Sequence, residues 1–309
     1  MKKTILSLFL FLTLPLMALE EHELVFDTDG SSATDFNSYL QEAFTDKDWW
    51  AVIDYADVLS YHFAASPFAQ EASYLTGYAY FQLGHYELAN TALNTYLNNS
   101  TNHSHFEEAV QMKFQIAEAF QQGVRKPLFG SHKMPKWLPA KEDAVQIYDE
   151  VIAAAPHTDM ASASLLGKAH VQCELEDYKP AVETLQTLIR RFPKQEAAAK
   201  AFLDIGKVYL EQCKNTSLDL DLLGLAELNV RKFKLAFPRE ERIAEAEKLF
   251  AETQELFAQN LLETGRFFER TKKQGAADIY YHKVISKYPA TEAATVAREK
   301  LHVETGSPQ

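Results

Sequence analysis

One spacing recurs along this chain and limits its fold more than any other feature: a small residue, a bulky residue four later, and a proline twelve later. Ala144, Tyr148 and Pro156 show it, as do Ala181, Leu185 and Pro193, then Ala226, Val230 and Pro238, and finally Ala277, Tyr281 and Pro289. Two earlier copies, Val52, Ala56, Ala64 and Ala89, Leu93, Thr101, keep the ruler but lack the proline. Upstream of most copies lies a second amphipathic segment with a small residue where two helices would touch: Gly77, Ala169, Gly206 or Gly265. A small residue lets two helix axes approach, and proline ends a helix because it lacks the N–H that would continue the ladder. The pattern therefore predicts an all-α solenoid of about six helix-turn-helix units, in which stacking buries an apolar stripe that one unit cannot bury alone.

Composition agrees. The 309 residues are 47% hydrophobic and 24% charged, enough for a continuous core, and eleven glycines and eleven prolines are few for a hairpin-rich protein. A formal charge of −12 weighs against a nucleic-acid partner, whose phosphates the chain would repel. No phosphate loop, zinc-protease helix, nucleophile elbow or kinase set is present, so the expectation is a binding protein without catalytic residues, metal or cofactor. His103 and His105 lack further ligands nearby, and Trp49 and Trp50 beside Tyr61 and Phe63 read as a first-unit core.

Met1-Lys2-Lys3, an apolar run from Thr4 to Met17 and Ala18 before Glu20-Glu21 read as a signal peptide cleaved after Ala18. The run is too short to span a bilayer, so the mature chain is expected to be exported and soluble. Residues 19–32 are expected to form a flexible start, 33–303 the solenoid and 304–309 a tail. The two cysteines, Cys173 and Cys213, allow one disulfide or two buried free thiols.

Successive markers of the second helix stand 37, 55, 37, 45 and 51 residues apart, and the excess marks insertions. One runs from Gly123 to Lys141, a second from Cys213 to Leu220, and the last long spacing holds an acidic helix from Arg239 to about Ala258. Glu292 to Val303 reads as a capping helix. The first insertion gathers Arg125, Lys126, Lys133, Lys136 and Lys141 with Phe129, Met134 and Trp137. It suits partner docking, as Trp and Arg are enriched in binding hot spots, or a loop whose Trp137 folds back to staple the preceding repeat. Phe44, Tyr74, Tyr78 and Phe81 would either line a peptide groove on the inner curve or pack between units. Arg266 and Arg270, with Lys272 and Lys273, form a second basic patch.

Phe63-Ala64-Ala65-Ser66-Pro67 with the Tyr74 to Gly84 helix, Phe114 to Phe120, and Asp143-Ala144 through Pro156 resemble the BamD family, tetratricopeptide subunits of the machinery that assembles β-barrels into the bacterial outer membrane. Glu263 to Phe268 with Ala276 to Tyr281 and Val284 to Pro289 is similar to that family's terminal repeat. The resemblance implies a scaffold that binds unfolded outer-membrane proteins and barrel-assembly subunits, with the C-terminal repeats contacting the large barrel subunit. It also implies a location peripheral to the outer membrane. Family members usually carry an N-terminal lipid on a cysteine; no cysteine lies near Ala18, so partner contacts would have to hold this chain there. A generic periplasmic adaptor coordinating envelope constriction with peptidoglycan synthesis remains the alternative.

Overall fold

The computed structural model describes residues 32–99, 104–128, 134–216 and 218–305. The signal-peptide assignment, most of the mature N-terminal segment, His103, Phe129 and Lys133 lie outside the described residues. Helices follow one another in antiparallel pairs: α1 (Ala33–Asp46) with α2 (Trp49–His62), α3 (Phe68–Gln82) with α4 (Tyr86–Asn99), α5 (Phe106–Gln121) with α6 (Lys141–Ala154). The array continues with α7 (Asp159–Glu174) and α8 (Tyr178–Arg191), α9 (Glu196–Asn215) and α10 (Leu220–Ala236), α11 (Ile243–Arg270) and α12 (Gln274–Lys287), and closes on α13 (Glu292–Thr305). These are the six expected units and the expected cap.

The ruler reads directly onto this array. Val52, Ala89, Ala144, Ala181, Ala226 and Ala277 each sit in the second helix of a pair, and all are buried. Where proline stands twelve residues on, the helix stops two residues before it, and the residue between has left helical geometry, with φ from −134° to −126° and ψ from 50° to 66°. Yet α2 also stops two residues before its ruler ends, at Phe63 with φ −125°, although Ala64 replaces proline. Packing sets the stop and proline reinforces it.

The small residues of the first helices divide into two kinds. A Cβ at Gly77 would lie 2.8 Å from Leu93, and one at Gly265 2.6 Å from Tyr281, so each glycine admits the bulky residue of its own unit. At Gly206 the nearest neighbour is Leu249 of α11 at 3.5 Å, so this glycine faces the following unit instead. The cause is α11, 28 residues long, which fuses the acidic segment with the first helix of the last unit and packs against α9. The acidic helix therefore begins at Ile243 and is no separate element.

The Gly123–Lys141 insertion departs from all-helical structure. Lys126–Pro127 (β1) and Lys136–Leu138 (β2) pair antiparallel, the only sheet among the described residues. Buried side chains form one large cluster over the first three units and three smaller ones through the last three. Trp49 joins the first cluster, but Trp50 and Tyr61, 42% and 83% exposed, stand outside it.

Candidate partner-binding surfaces

The four aromatic residues expected on the inner curve form an inter-helix packing chain. Phe44 of α1 meets Trp49 and Tyr78 at centroid distances of 5.8 and 5.4 Å, and Phe81 meets Tyr86 at 5.6 Å. Tyr74 is buried, stacked on His105 at 4.2 Å and 5.5 Å from Tyr96. Burial pushes its phenol up to about 12, with Glu108 adding repulsion. Tyr74 therefore belongs to the core, and Phe44, Tyr78 and Phe81 are left half-buried as the accessible part of the stripe. Each such ring pair contributes about 0.5–1.5 kcal/mol beyond its area, which is why the rings close on one another rather than stand apart.

The hairpin presents its residues outward. Its stem is fixed at two points: Lys126 pairs with Asp143 of α6 at 2.8 Å, and Lys136 donates to the carbonyl of Gly84 at 2.8 Å. Both anchors use cations to tie the insertion to neighbouring helices, which takes Lys126 out of the set free to meet a partner. Trp137, next to the Lys136 anchor on β2, is 64% exposed and so does not staple the preceding repeat. Arg125 is exposed as well. Of the basic and aromatic residues of this loop, Arg125 and Trp137 are exposed, whereas Lys126 is engaged by Asp143.

At the other end of the array, Arg266, Arg270 and Lys300 surround Glu269 in an open recess of about 400 Å³. Glu269 accepts from Tyr281 Oη at 2.6 Å and from Lys300 at 2.9 Å, bonds that hold its carboxyl below the ordinary range. Arg266 pairs with Glu263 at 2.5 Å. Lys300, from the cap, is the member that sequence spacing could not bring to this cluster.

Two charged groups were invisible from local pattern. Lys113 of α5 is 1% exposed and bonds Asn94 of α4 and Glu150 of α6, the latter at 2.5 Å. Burial pushes its ammonium below the ordinary lysine range, with Glu150 opposing the shift. Burial pushes Glu150 up, but Lys113, Asn94 and Gln146 together leave it below the ordinary carboxylate range. Asp204 of α9 is buried between His170 of α7, at 3.4 Å, and Lys207, at 3.2 Å; burial raises its carboxyl, and hydrogen bonding from His170 with the charge of Lys207 holds it net low. Cys173 and Cys213 are free thiols, Cys173 only partly buried, both raised first by burial and then by nearby acids. No cluster of three or more metal-ligating side chains occurs among the described residues.

A stack of paired helices with small residues at the crossings defines an α-solenoid scaffold. Family models described as tetratricopeptide repeat match residues 27–165 and 163–194, and the chain is a tetratricopeptide-repeat protein. No curated protein matches it. Among solved structures it is similar to a MamA RS-1 ArsTM double mutant, at 18% identity and TM-score 0.36 over 75% of this chain and 97% of that one. It is also similar to a tetratricopeptide repeat protein from Parabacteroides merdae, at 12% identity and TM-score 0.35 over 82% and 92%. The apo form of RapI gives 12% and 0.37 over 90% and 79%.

Proposed function

We propose that this protein is a periplasmic scaffold in the assembly of outer-membrane β-barrel proteins, exported by its first 18 residues and held at the outer membrane by protein contacts. The coarser part of that reading, a protein-protein interaction adaptor, follows from the repeat itself. The finer part rests on the BamD-like units, whose terminal copy packs Gly265 against Tyr281. No helix among the described residues is long and apolar enough to cross a membrane, which is compatible with attachment through partners.

The observation that carries the docking role is Trp137, exposed on β2 of an insertion whose stem is fixed on both sides. Rigidly presented aromatic side chains contribute binding energy at low entropic cost. A photo-crosslinking residue in place of Trp137, and separately of Arg270, should capture the large barrel subunit or a barrel precursor in cells. Capture of division or peptidoglycan-synthesis proteins alone would replace this reading with the envelope-coordination one.

A further inference from the structure

A cleft of about 250 Å³ opens between α8 and α10, with α9 as its floor. Phe202, Ile205 and Tyr209 form that floor, and Leu225 and Leu228 form one wall. The wall is held at a fixed separation: Asn229 donates to the carbonyl of Phe202 at 2.8 Å, and Phe202 stacks on Phe233 at 5.2 Å. The outward face of α10 continues the apolar surface. At 100° per residue Leu225, Leu228 and Leu235 share one stripe, and Leu235 is 78% exposed. A leucine stripe on a helix that already buries its opposite face is an unusual surface for a monomeric protein.

The charge around it is equally specific. Arg190 and Lys232 line the cleft and no acid does; Glu183 on α8, and Asp221 and Glu227 on α10, lie outside its lining. Arg231 stands exposed on the same side of α10. None of these three cations has an ion pair among the described residues, whereas Lys113, Lys126, Lys168, Lys234, Arg242 and Lys300 all do. In a chain of formal charge −12, an apolar cleft ringed by unpaired cations is complementary to a ligand that is apolar on one side and acidic on the other.

We infer that the α8–α10 cleft is a docking site for an acidic amphipathic helix of a partner protein, with its apolar side chains in the cleft and its carboxylates on Arg190, Arg231 and Lys232. The concavity decides for a helix over a bilayer. A flat lipid surface would touch Leu235 and leave the cleft beneath it unfilled, while leucines spaced i, i+3 and i+7 on a helix reach into the groove. This site lies on units distinct from Trp137 and Arg270 and stands whatever machinery the protein serves.

The test uses the full chain and a fluorescent synthetic helical peptide with leucines at i, i+3, i+7 and i+10 and glutamates elsewhere. A peptide with lysines in place of the glutamates and vesicles of anionic phospholipid serve as the other arms. The acidic peptide should bind, the basic one should not, and the double substitution Arg190→Glu and Lys232→Glu should weaken binding by about tenfold or more. Both positions are exposed, so the double variant keeps the circular dichroism and melting temperature of the parent. Leu228→Asp should abolish binding independently. Failure of the acidic peptide to bind, equal binding by the double variant, or charge-dependent binding of vesicles with no peptide competition would each overturn the assignment.

Discussion

At the scale of single residues, the fold is decided by how much room a side chain leaves. Gly265 faces the ring of Tyr281, which is fully buried and tied through its hydroxyl to Glu269 at 2.6 Å, so the ring cannot swing away from an added methyl. Gly265→Ala would place that carbon 2.6 Å from the ring; overpacking of this kind costs about 1–3 kcal/mol, more than the ~1 kcal/mol of helix propensity gained. Gly224→Ala, with no atom within 4 Å, should instead stabilise by up to ~1 kcal/mol, and urea denaturation of both variants reads the contrast. Lys113 tests the opposite case, a charge that has no room for water. Lys113→Met leaves Glu150 without its cation and should cost about 2 kcal/mol, and adding Glu150→Leu should recover most of that loss. The pH dependence has a defined sign. Glu150 and Asp204 are held below the ordinary carboxylate range, so their contribution is full above the unfolded-state value and lost as pH falls through the folded one. Stability should therefore decline on acidification below about pH 4, and less steeply in Lys113→Met than in the parent.

At the scale of elements, the second helices were legible because their signal is local and repeated: a small residue, a bulky one a turn later and a stop. The stop itself does not require proline. α2 ends at the same ruler position as α8 with alanine in place of proline, so the turn is imposed by stacking of the next unit. Pro193→Ala should accordingly leave the helical content unchanged and cost only about 0.4–1 kcal/mol, the unfolded-chain entropy that proline removes; a loss of several kcal/mol in a denaturant titration would return the stop to proline. The hairpin escaped sequence reading because two paired residues and three cannot show an alternating pattern. Lys113 escaped because a lysine in an amphipathic helix reads as solvent-facing, and its partner Glu150 is 37 residues away. The sequence leaves open whether Trp137 folds back or faces solvent; the anchors at Asp143 and Gly84 decide that it points outward.

At the scale of the whole molecule, each unit contacts its neighbours and little else, so stability is passed along the array in nearest-neighbour steps. The last step is made by α13, whose Ala293, Ala294 and Ala297 are buried against the final pair. It is attached by chemistry as well as area: Glu255 of α11 accepts from the backbone N–H groups of Glu292 and Ala293 at 2.8 and 3.1 Å, capping the helix start, and Lys300 bonds Glu269. Truncation before Glu292 removes all of these and uncovers Tyr281 and Val284, which are fully buried in the intact chain. In a one-dimensional array the resulting loss is local. Amide hydrogen exchange by mass spectrometry should show protection falling in α11 and α12, partly in α9 because it packs on α11, and remaining at parent levels in α1 through α6, whose large cluster shares no residue with the cap. A uniform loss of protection from α1 to α12 would mean that the solenoid unfolds as one cooperative body, and the unit-by-unit account of its stability would fail with it.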